Sequence, residues 1–308
     1  MGRVVILGVF VADTAYRAER QPRMGETIMG RGFALGPGGK GSNQAVAAAR
    51  AGAETHILTR LAPDAFGAMA RETWARAGVT PAVIESPGGY TGAACIFLDH
   101  ATGDNAIIVC PGVAAELCEA DVEAHAALIG GAAVFVTQLE QPIAAARRGL
   151  EIARAGGART VLNPAPAAAL PQGMLALCDF VTPNESEAEA LTGLAVRDPE
   201  SALAAAQALR ALGAGAAVVT LGAQGALYHD GARTAHLPAL DAGPVLETTG
   251  AGDAFNGGFA AALARGADPL AAARFGCATA SISVTRRGTA PAMPARAEAE
   301  ALMARAGG

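Results

Sequence analysis

The sequence predicts an α/β fold: a doubly wound, mostly parallel sheet with helices on both faces and a small second sheet inserted into it. Three observations predict it. Beyond about residue 43, short apolar runs alternate with Ala-rich helical segments, the rhythm of a parallel sheet built from βα units. The chain opens on a continuous apolar run at residues 4–12, the signature of a strand buried on both faces. Two stretches, 13–36 and 91–110, break the rhythm.

The elements follow in order. The opening run imitates a short secretory signal, but Asp13 ends it and no A-x-A site follows, so it reads as the first strand. Residues 13–36 mix charge, glycine and short apolar pieces. Helical spacing covers 43–52 and 64–78, with a strand at 56–61 between them. Residues 91–110 read as two alternating strands joined by Ala101-Thr102-Gly103-Asp104. Helices at 121–129, 142–155, 186–191 and 201–212 interleave with strands at 132–138, 160–164, 180–183 and 217–222, and the last third turns mostly helical. Residues 1–12, 37–90 and 111–308 then form the main domain. Residues 13–36 and 91–110 form the inserted sheet, either a flap over a ligand site or an edge hairpin.

The 308 residues are 52% hydrophobic and 17% charged, with a formal net charge of −5. That describes a soluble globular chain long enough for one large α/β domain or two modest ones. An acidic balance with 4% aromatics supplies neither the basic footprint nor the stacking surface of a nucleic-acid binder. No run approaches the ~18 apolar residues of a membrane span. Cys95, Cys110, Cys118, Cys178 and Cys277 are scattered without C-x-x-C spacing, which fits a reducing cytoplasm rather than a disulfide framework or zinc site. Of the 23 basic residues only Lys40 is a lysine. Either coding bias toward arginine left Lys40 as a leftover, or a compact ammonium is kept there because a planar guanidinium would not fit in a chain folded tightly over a small ligand.

Gly36-Pro37-Gly38-Gly39-Lys40-Gly41-Ser42-Asn43 precedes the first long helix. It contains G-x-G-x-x-G, but not on the turn after the first strand, where a dinucleotide fingerprint belongs. A Walker A loop fails as well, because Ala34 and Gly41 stand where it needs Gly and Ser or Thr. What remains is either a glycine cluster that lets backbone approach a ligand or a plain tight connection, with Ser42 or Asn43 as helix cap in both. A second segment, Thr249-Gly250-Ala251-Gly252-Asp253-Ala254-Phe255-Asn256-Gly257, opens another helix. Its small residues can form an anion-binding concavity that the helix macrodipole reinforces. Asp253 is then either an ordinary helix-start carboxylate or a base that accepts a proton from an attacking hydroxyl during phosphoryl transfer.

Together the two segments resemble the paired signatures of the ribokinase-like (phosphofructokinase-B) sugar kinases. The resemblance continues through Thr137-Gln138-Leu139-Glu140, Asn163-Pro164-Ala165-Pro166-Ala167, Thr182-Pro183-Asn184-Glu185 and Thr220-Leu221-Gly222-Ala223-Gln224-Gly225. It implies a Rossmann-like domain covered by a β lid made from the inserted strands, a lid that in that family also forms a homodimer interface. It implies Asp253 as general base and Gly250, Ala251 and Gly252 as anion hole. Asp13, Gly39, Lys40, Gly41, Asn43 and Glu140 would hold the sugar, as carboxylates and amides can hold vicinal hydroxyls. ATP would lie along Asn184, Thr220, Gly222, Gly225 and Gly252, with Cys277 beside the adenine. Asn184 and Glu187 match an N-x-x-E element that organises Mg²⁺ through water, although in isolation Asn184 reads as a helix cap.

Three positions depart from the family pattern. Val11 stands where a sugar-binding asparagine is expected, and a sugar hydroxyl left without that partner costs about 1–3 kcal/mol. Glu247 begins a monovalent-cation loop that usually begins with aspartate; Thr249, Ser283, Arg286, Gly288 and Ala292 would complete a K⁺ site, mainly through backbone carbonyls. Cys277 replaces the usual Asn or His. The resemblance implies an ATP- and Mg²⁺-dependent kinase for the primary hydroxyl of a pentose, D-ribose to D-ribose 5-phosphate. The alternatives are 2-deoxyribose or a nucleoside as acceptor, or, in another class, a non-catalytic sugar- or nucleotide-binding protein.

Overall fold

The N-terminal apolar run does not stay in one strand. In the computed structural model, which describes residues 2–306, β1 (Arg3–Leu7) and β2 (Val11–Ala18) belong to different sheets. The expected strand over 4–12 is therefore two. Val9 and Phe10 stay buried at the crossing and leave no polar break to mark it. β3 (Gly32–Gly38) runs antiparallel to β2 and delivers the chain to α1 (Lys40–Arg50). β4 (Glu54–Leu61), α2 (Ala65–Ala77) and β5 (Val79–Glu85) follow. β6 (Thr91–Asp99) and β7 (Asn105–Gly112) form the expected hairpin.

Two short helices, α3 (Glu119–Ala124) and α4 (Ala126–Gly130), replace the single helix expected over 121–129. The His125 ring nitrogen pairs with the Asp121 carbonyl at 2.8 Å, and the His125 backbone leaves helical geometry. Then come β8 (Val134–Thr137), α5 (Ile143–Ala155), β9 (Arg159–Leu162), β10 (Phe180–Val181), α6 (Glu185–Thr192), α7 (Pro199–Ala211) and β11 (Ala216–Thr220). A hairpin that the sequence reading lacks, β12 (Ala226–His229) and β13 (Thr234–Leu237), precedes α8 (Ala251–Ala264), α9 (Pro269–Ser283) and α10 (Arg296–Ala306).

The large sheet has nine strands in the order β13-β12-β11-β10-β9-β8-β1-β4-β5, parallel except for the terminal hairpin. Strand alternation divides its side chains between two apolar layers. Val4 and Ile6 join the layer under α1, α8 and α9, while Val5 and Leu7 join the one under α5 and α7. The second sheet is β3-β2-β6-β7. Its strands pass the expected limits of 13–36 and 91–110 by two residues, because 11–12, 37–38 and 111–112 also lie in them.

α1 begins earlier than expected, and neither Ser42 nor Asn43 caps it. Gly39, at φ +86°, is the N-cap and has no side chain to bond the first turn; the carboxylate that takes the Lys40 N–H comes from Glu140, 100 residues away. Gly41 lies so close to Gly8 that a Cβ would meet its Cα at 2.6 Å, which holds the first turn hard against the end of β1. Ser42 and Asn43 thus fall inside the helix and their side chains go elsewhere: Ser42 accepts from the Trp74 indole at 2.9 Å. α8 is buried almost throughout. A Cβ on Gly257 would sit 2.3 Å from that of Ala47, so glycine there permits the close crossing of α8 and α1.

Candidate active site

The carboxyl ends of the parallel strands face the N-termini of α1, α6 and α8, where the crevice of an open α/β sheet lies. Between them is a cavity of about 150 Å³, lined by Lys40, Asn184, Glu187, Thr220, Asp253 and the 250–252 backbone among others. A larger concavity of about 680 Å³, beside Leu170 and Leu212, carries no titratable side chain. Chemistry, not size, singles out the smaller one.

Asp253 sits in the first turn of α8 and is buried. Its Oδ2 accepts from Asn43 Nδ2 and its Oδ1 from Gln44 Nε2, each at 3.0 Å. Burial pushes its carboxyl up, while the Lys40 ammonium and these two amides pull it down; the net direction is up. Gly250, at φ +82°, is the N-cap of α8. The Ala251 N–H donates to the Thr248 carbonyl at 3.2 Å, so Ala251 does not offer the free amide the anion-hole reading expects. Among the described residues, no protein group accepts from the N–H groups of Gly250, Gly252 or Asp253. These point from the positive end of a 14-residue helix.

Lys40 opens α1 with its backbone N–H donating to Glu140 Oε2 at 2.7 Å. Burial would lower the Lys40 ammonium, but the carboxylates of Asp253, Glu140 and Glu187 outweigh it and hold it above its ordinary value. Glu140 is pushed up to about 7, chiefly by burial. Asp13 is raised to about 6 by burial and by the charges of Asp253 and Glu247. Its carboxylate lies over Gly38, where a Cβ would come within 2.2 Å. A clustered set of carboxylates, a single ammonium and free helix amides can hold polyhydroxyl groups, take up a proton and receive phosphate charge.

A family model for pfkB family carbohydrate kinases matches residues 1–296. This chain belongs to the pfkB family. Over 296 residues it is 35% identical to a ribokinase of Haemophilus influenzae, with 96% of each chain covered. It is also 33% identical to a deoxyribokinase of Salmonella typhi, covering 94% of this chain and 95% of that one. The fold superposes on that of Arabidopsis thaliana ribokinase complexed with ribose and ATP at a TM-score of 0.91, with 29% identity and 98% of both chains covered.

In this carbohydrate kinase the remaining sequence-predicted residues fall into three places. Asn184 and Glu187 form a reciprocal capping box on α6: Asn184 Oδ1 accepts from the Glu187 N–H at 2.8 Å, and Glu187 Oε2 from the Asn184 N–H at 2.9 Å. Both still line the cavity, and burial raises the Glu187 carboxyl. Cys277 lies in a separate pocket of about 300 Å³ with Leu237, Leu240, Arg274 and Met303, and burial pushes its thiol up to about 12. Gly222 has φ +51° at the turn after β11. Gly225 packs so tightly that a Cβ would meet the Leu237 carbonyl oxygen at 2.0 Å, which supports the wall of that pocket. Glu247 Oε2 accepts from the Gly288 N–H at 2.9 Å, tying the loop that carries Thr249 to the 283–292 segment with Ser283 and Ala292. The Arg286 side chain turns away to Glu298.

Val11 does not open on a polar surface: it packs with Val9, Ala94 and Ala114. Sequence reasoning gave no role to a polar group that starts in the cavity wall, at Asn163, Thr182 and Asn256, and runs behind it to Gln44 and Gln138. Gln44 Nε2 also donates to Asn163 Oδ1 at 3.0 Å, Gln138 Nε2 donates to Gln44 Oε1 at 2.6 Å, and Thr182 Oγ1 donates to Asn256 Oδ1 at 2.6 Å. The available signal was an amide interrupting an apolar face, as Gln44 does ahead of residues 45–49.

Proposed function

We propose that the protein is a ribokinase, transferring the γ-phosphoryl group of ATP to the primary hydroxyl of D-ribose and releasing D-ribose 5-phosphate and ADP. The observation that carries this reading is the Asp253 carboxylate, the unpaired amides of Gly250 and Gly252, and the Lys40 ammonium around one cavity. Asp253 takes the proton of the attacking hydroxyl. The new bond joins that oxygen to the γ-phosphorus while the bond from phosphorus to the β–γ bridging oxygen breaks, and ADP leaves. The α8 amides and Lys40 stabilise the charge on the transferring group. Asp13 and Asn43 hold sugar hydroxyls; Asn43 Oδ1 is buried with no partner among the described residues, an acceptor that a hydroxyl satisfies. Glu140 orients the Gly39-Lys40 turn and, through it, the sugar.

Nucleotide phosphates lie between Asn184, Thr220 and Gly252, and the Cys277 pocket receives the base. On the nucleotide side the buried Glu187 carboxylate would hold Mg²⁺ through the waters that the ion keeps, and the ion would supply charge to offset the phosphates. Glu247 with the carbonyls of Thr249, Ser283, Gly288 and Ala292 would hold K⁺. The small sheet serves as the lid, with 1–12, 37–90 and 111–308 as the kinase domain. Its exposed Tyr16, Phe33, Leu35, Ile107, Ile108 and Val109 support a homodimer through that lid. A cytoplasmic location accords with five free cysteines and with the finding that, among the described residues, no helix is long and apolar enough to cross a membrane.

A second reading, 2-deoxyribose as acceptor, is favoured by the apolar packing of Val11. ADP release measured across ribose, 2-deoxyribose, other pentoses, fructose and nucleosides tests both, with the site of phosphorylation read by NMR. Ribose should give the highest kcat/KM; faster turnover of fructose or a nucleoside would overturn the assignment.

A further inference from the structure

We propose that Gln44, locked by Gln138, is a positioning residue that fixes the Asp253 carboxylate from its buried side. The proposal rests on Asp253 being the base of the reaction above. Gln44 is fully buried and is absent from the cavity lining, whereas Asp253 and Asn163 are present. It therefore touches the base without touching the ligand space. Its one amide bridges Asp253 Oδ1 and Asn163 Oδ1, each at 3.0 Å.

An amide can present either end, so its orientation needs a cause. Gln138 supplies it: its Nε2 donates to Gln44 Oε1 at 2.6 Å, which turns the Gln44 NH₂ toward Asp253. Asn163 is fixed in the same way, since its Nδ2 donates to the Thr182 carbonyl at 3.0 Å and leaves Oδ1 as acceptor. Two close backbone contacts hold the chain of amides in register. A Cβ on Gly8 would meet Gln138 Oε1 at 2.4 Å, and one on Gly257 would meet the Gln44 carbonyl oxygen at 2.6 Å. With Asn43 on Oδ2, both oxygens of the base are held by neutral amides, which favour its ionised form without neutralising it. The charged groups that also face Asp253 are Lys40 from α1, Asp13 from β2, Glu140 beyond β8 and Glu187 from α6. Only Lys40 favours the ionised carboxylate.

Gln44→Met removes the donor at similar volume. Gln138→Glu keeps Gln44 but reverses it, because a carboxylate at 138 draws the Gln44 NH₂ away and turns its Oε1 toward Asp253. The test compares kinetics with titration of the Asp253 carboxyl ¹³C resonance, assigned by its loss in Asp253→Asn. Both variants should lower kcat about 10-fold or more, leave the sugar and ATP KM within about twofold, and raise the Asp253 midpoint by about 1–2 pH units, the range set by losing a hydrogen bond to a charged group. Gln138→Met, which deletes the lock without reversing Gln44, should fall between parent and Gln138→Glu and serves if the charged variant does not fold. An unmoved midpoint with parental kcat in a folded variant would overturn the proposal. An active Asp253→Asn would instead remove the general-base reading on which it rests.

Discussion

Glu140 offers a quantitative test of how the sugar site is built. Its carboxyl, ordinarily near 4.5, is pushed up to about 7 by burial, with Asp253 and Asp13 adding to the push and Lys40 opposing it. A carboxyl raised on folding contributes stability that is fully present below the unfolded value and is lost as pH rises through the folded one. Linkage over that interval gives a destabilisation of about 1 kcal/mol at pH 5 that grows to about 3 kcal/mol at pH 8.5. Glu140→Gln keeps an oxygen to accept the Lys40 N–H and removes the ionisation. The variant should therefore gain about 2–3 kcal/mol on the parent between those pH values. With about 2.1 cal/mol/K of unfolding entropy per residue, that is roughly 4 °C in Tm. Thermal unfolding of both proteins at pH 5 and pH 8.5 measures the double difference. A Tm gap that is the same at both pH values, or that shrinks as pH rises, would refute the electrostatic reasoning.

Lys40→Arg should lower kcat/KM by about 10-fold or more, because a guanidinium fork does not fit between Asp253, Glu140 and Glu187; steady-state kinetics returning parental values would make Lys40 incidental. Val11→Asn should raise the ratio of ribose to 2-deoxyribose kcat/KM while lowering stability by about 1–3 kcal/mol, since the amide enters an apolar cluster. An unchanged ratio in competition assays would remove Val11 as a specificity determinant. Potassium should increase turnover in the parent and lose most of that effect in Glu247→Ala, where the tie to the Gly288 N–H is gone; equal rates in potassium and in a bulky organic cation would contradict the assigned cation loop.

The periodic elements were legible because each buries one local pattern. The βα alternation, the hairpin at 91–110 and the helix closed by Asp64 and Gly78 all follow from side chains within a few positions of one another. The misses at the start of the chain and at α1 share a cause, tertiary contact overriding local pattern, whereas the break between α3 and α4 is local, at His125. Residues 4–12 are apolar throughout because they pass from the core of one sheet to the base of another, so composition could not show the break at Gly8. The start of α1 was misplaced because no neighbouring side chain caps it; its first amide is taken by the distant Glu140 and its first turn packs on Gly8, which a search for local Ser or Asn caps does not register. Around the candidate site, the two glycine segments and Asp253 stand out locally. Their meeting depends on residues 210 apart, and on Gly257 admitting Ala47. The Ala251 amide shows the limit of motif reading: three small residues predict three donors, and the turn at Gly250 uses one of them.

If Asp253 removes the proton from the acceptor hydroxyl, replacing its carboxylate must stop turnover without emptying the site. Sugar-dependent ADP release by Asp253→Asn, set beside the parent with ribose and ATP affinities measured on the same samples, tests it most directly. The amide is nearly isosteric and its one oxygen can still accept from Gln44, while its NH₂ faces the Asn43 amide in place of the second carboxylate oxygen; it cannot take up a proton at working pH. Asp253→Asn should have a kcat lower by about 10²–10⁴ with binding of both ligands retained; turnover within a few-fold of the parent would show that another group takes the proton.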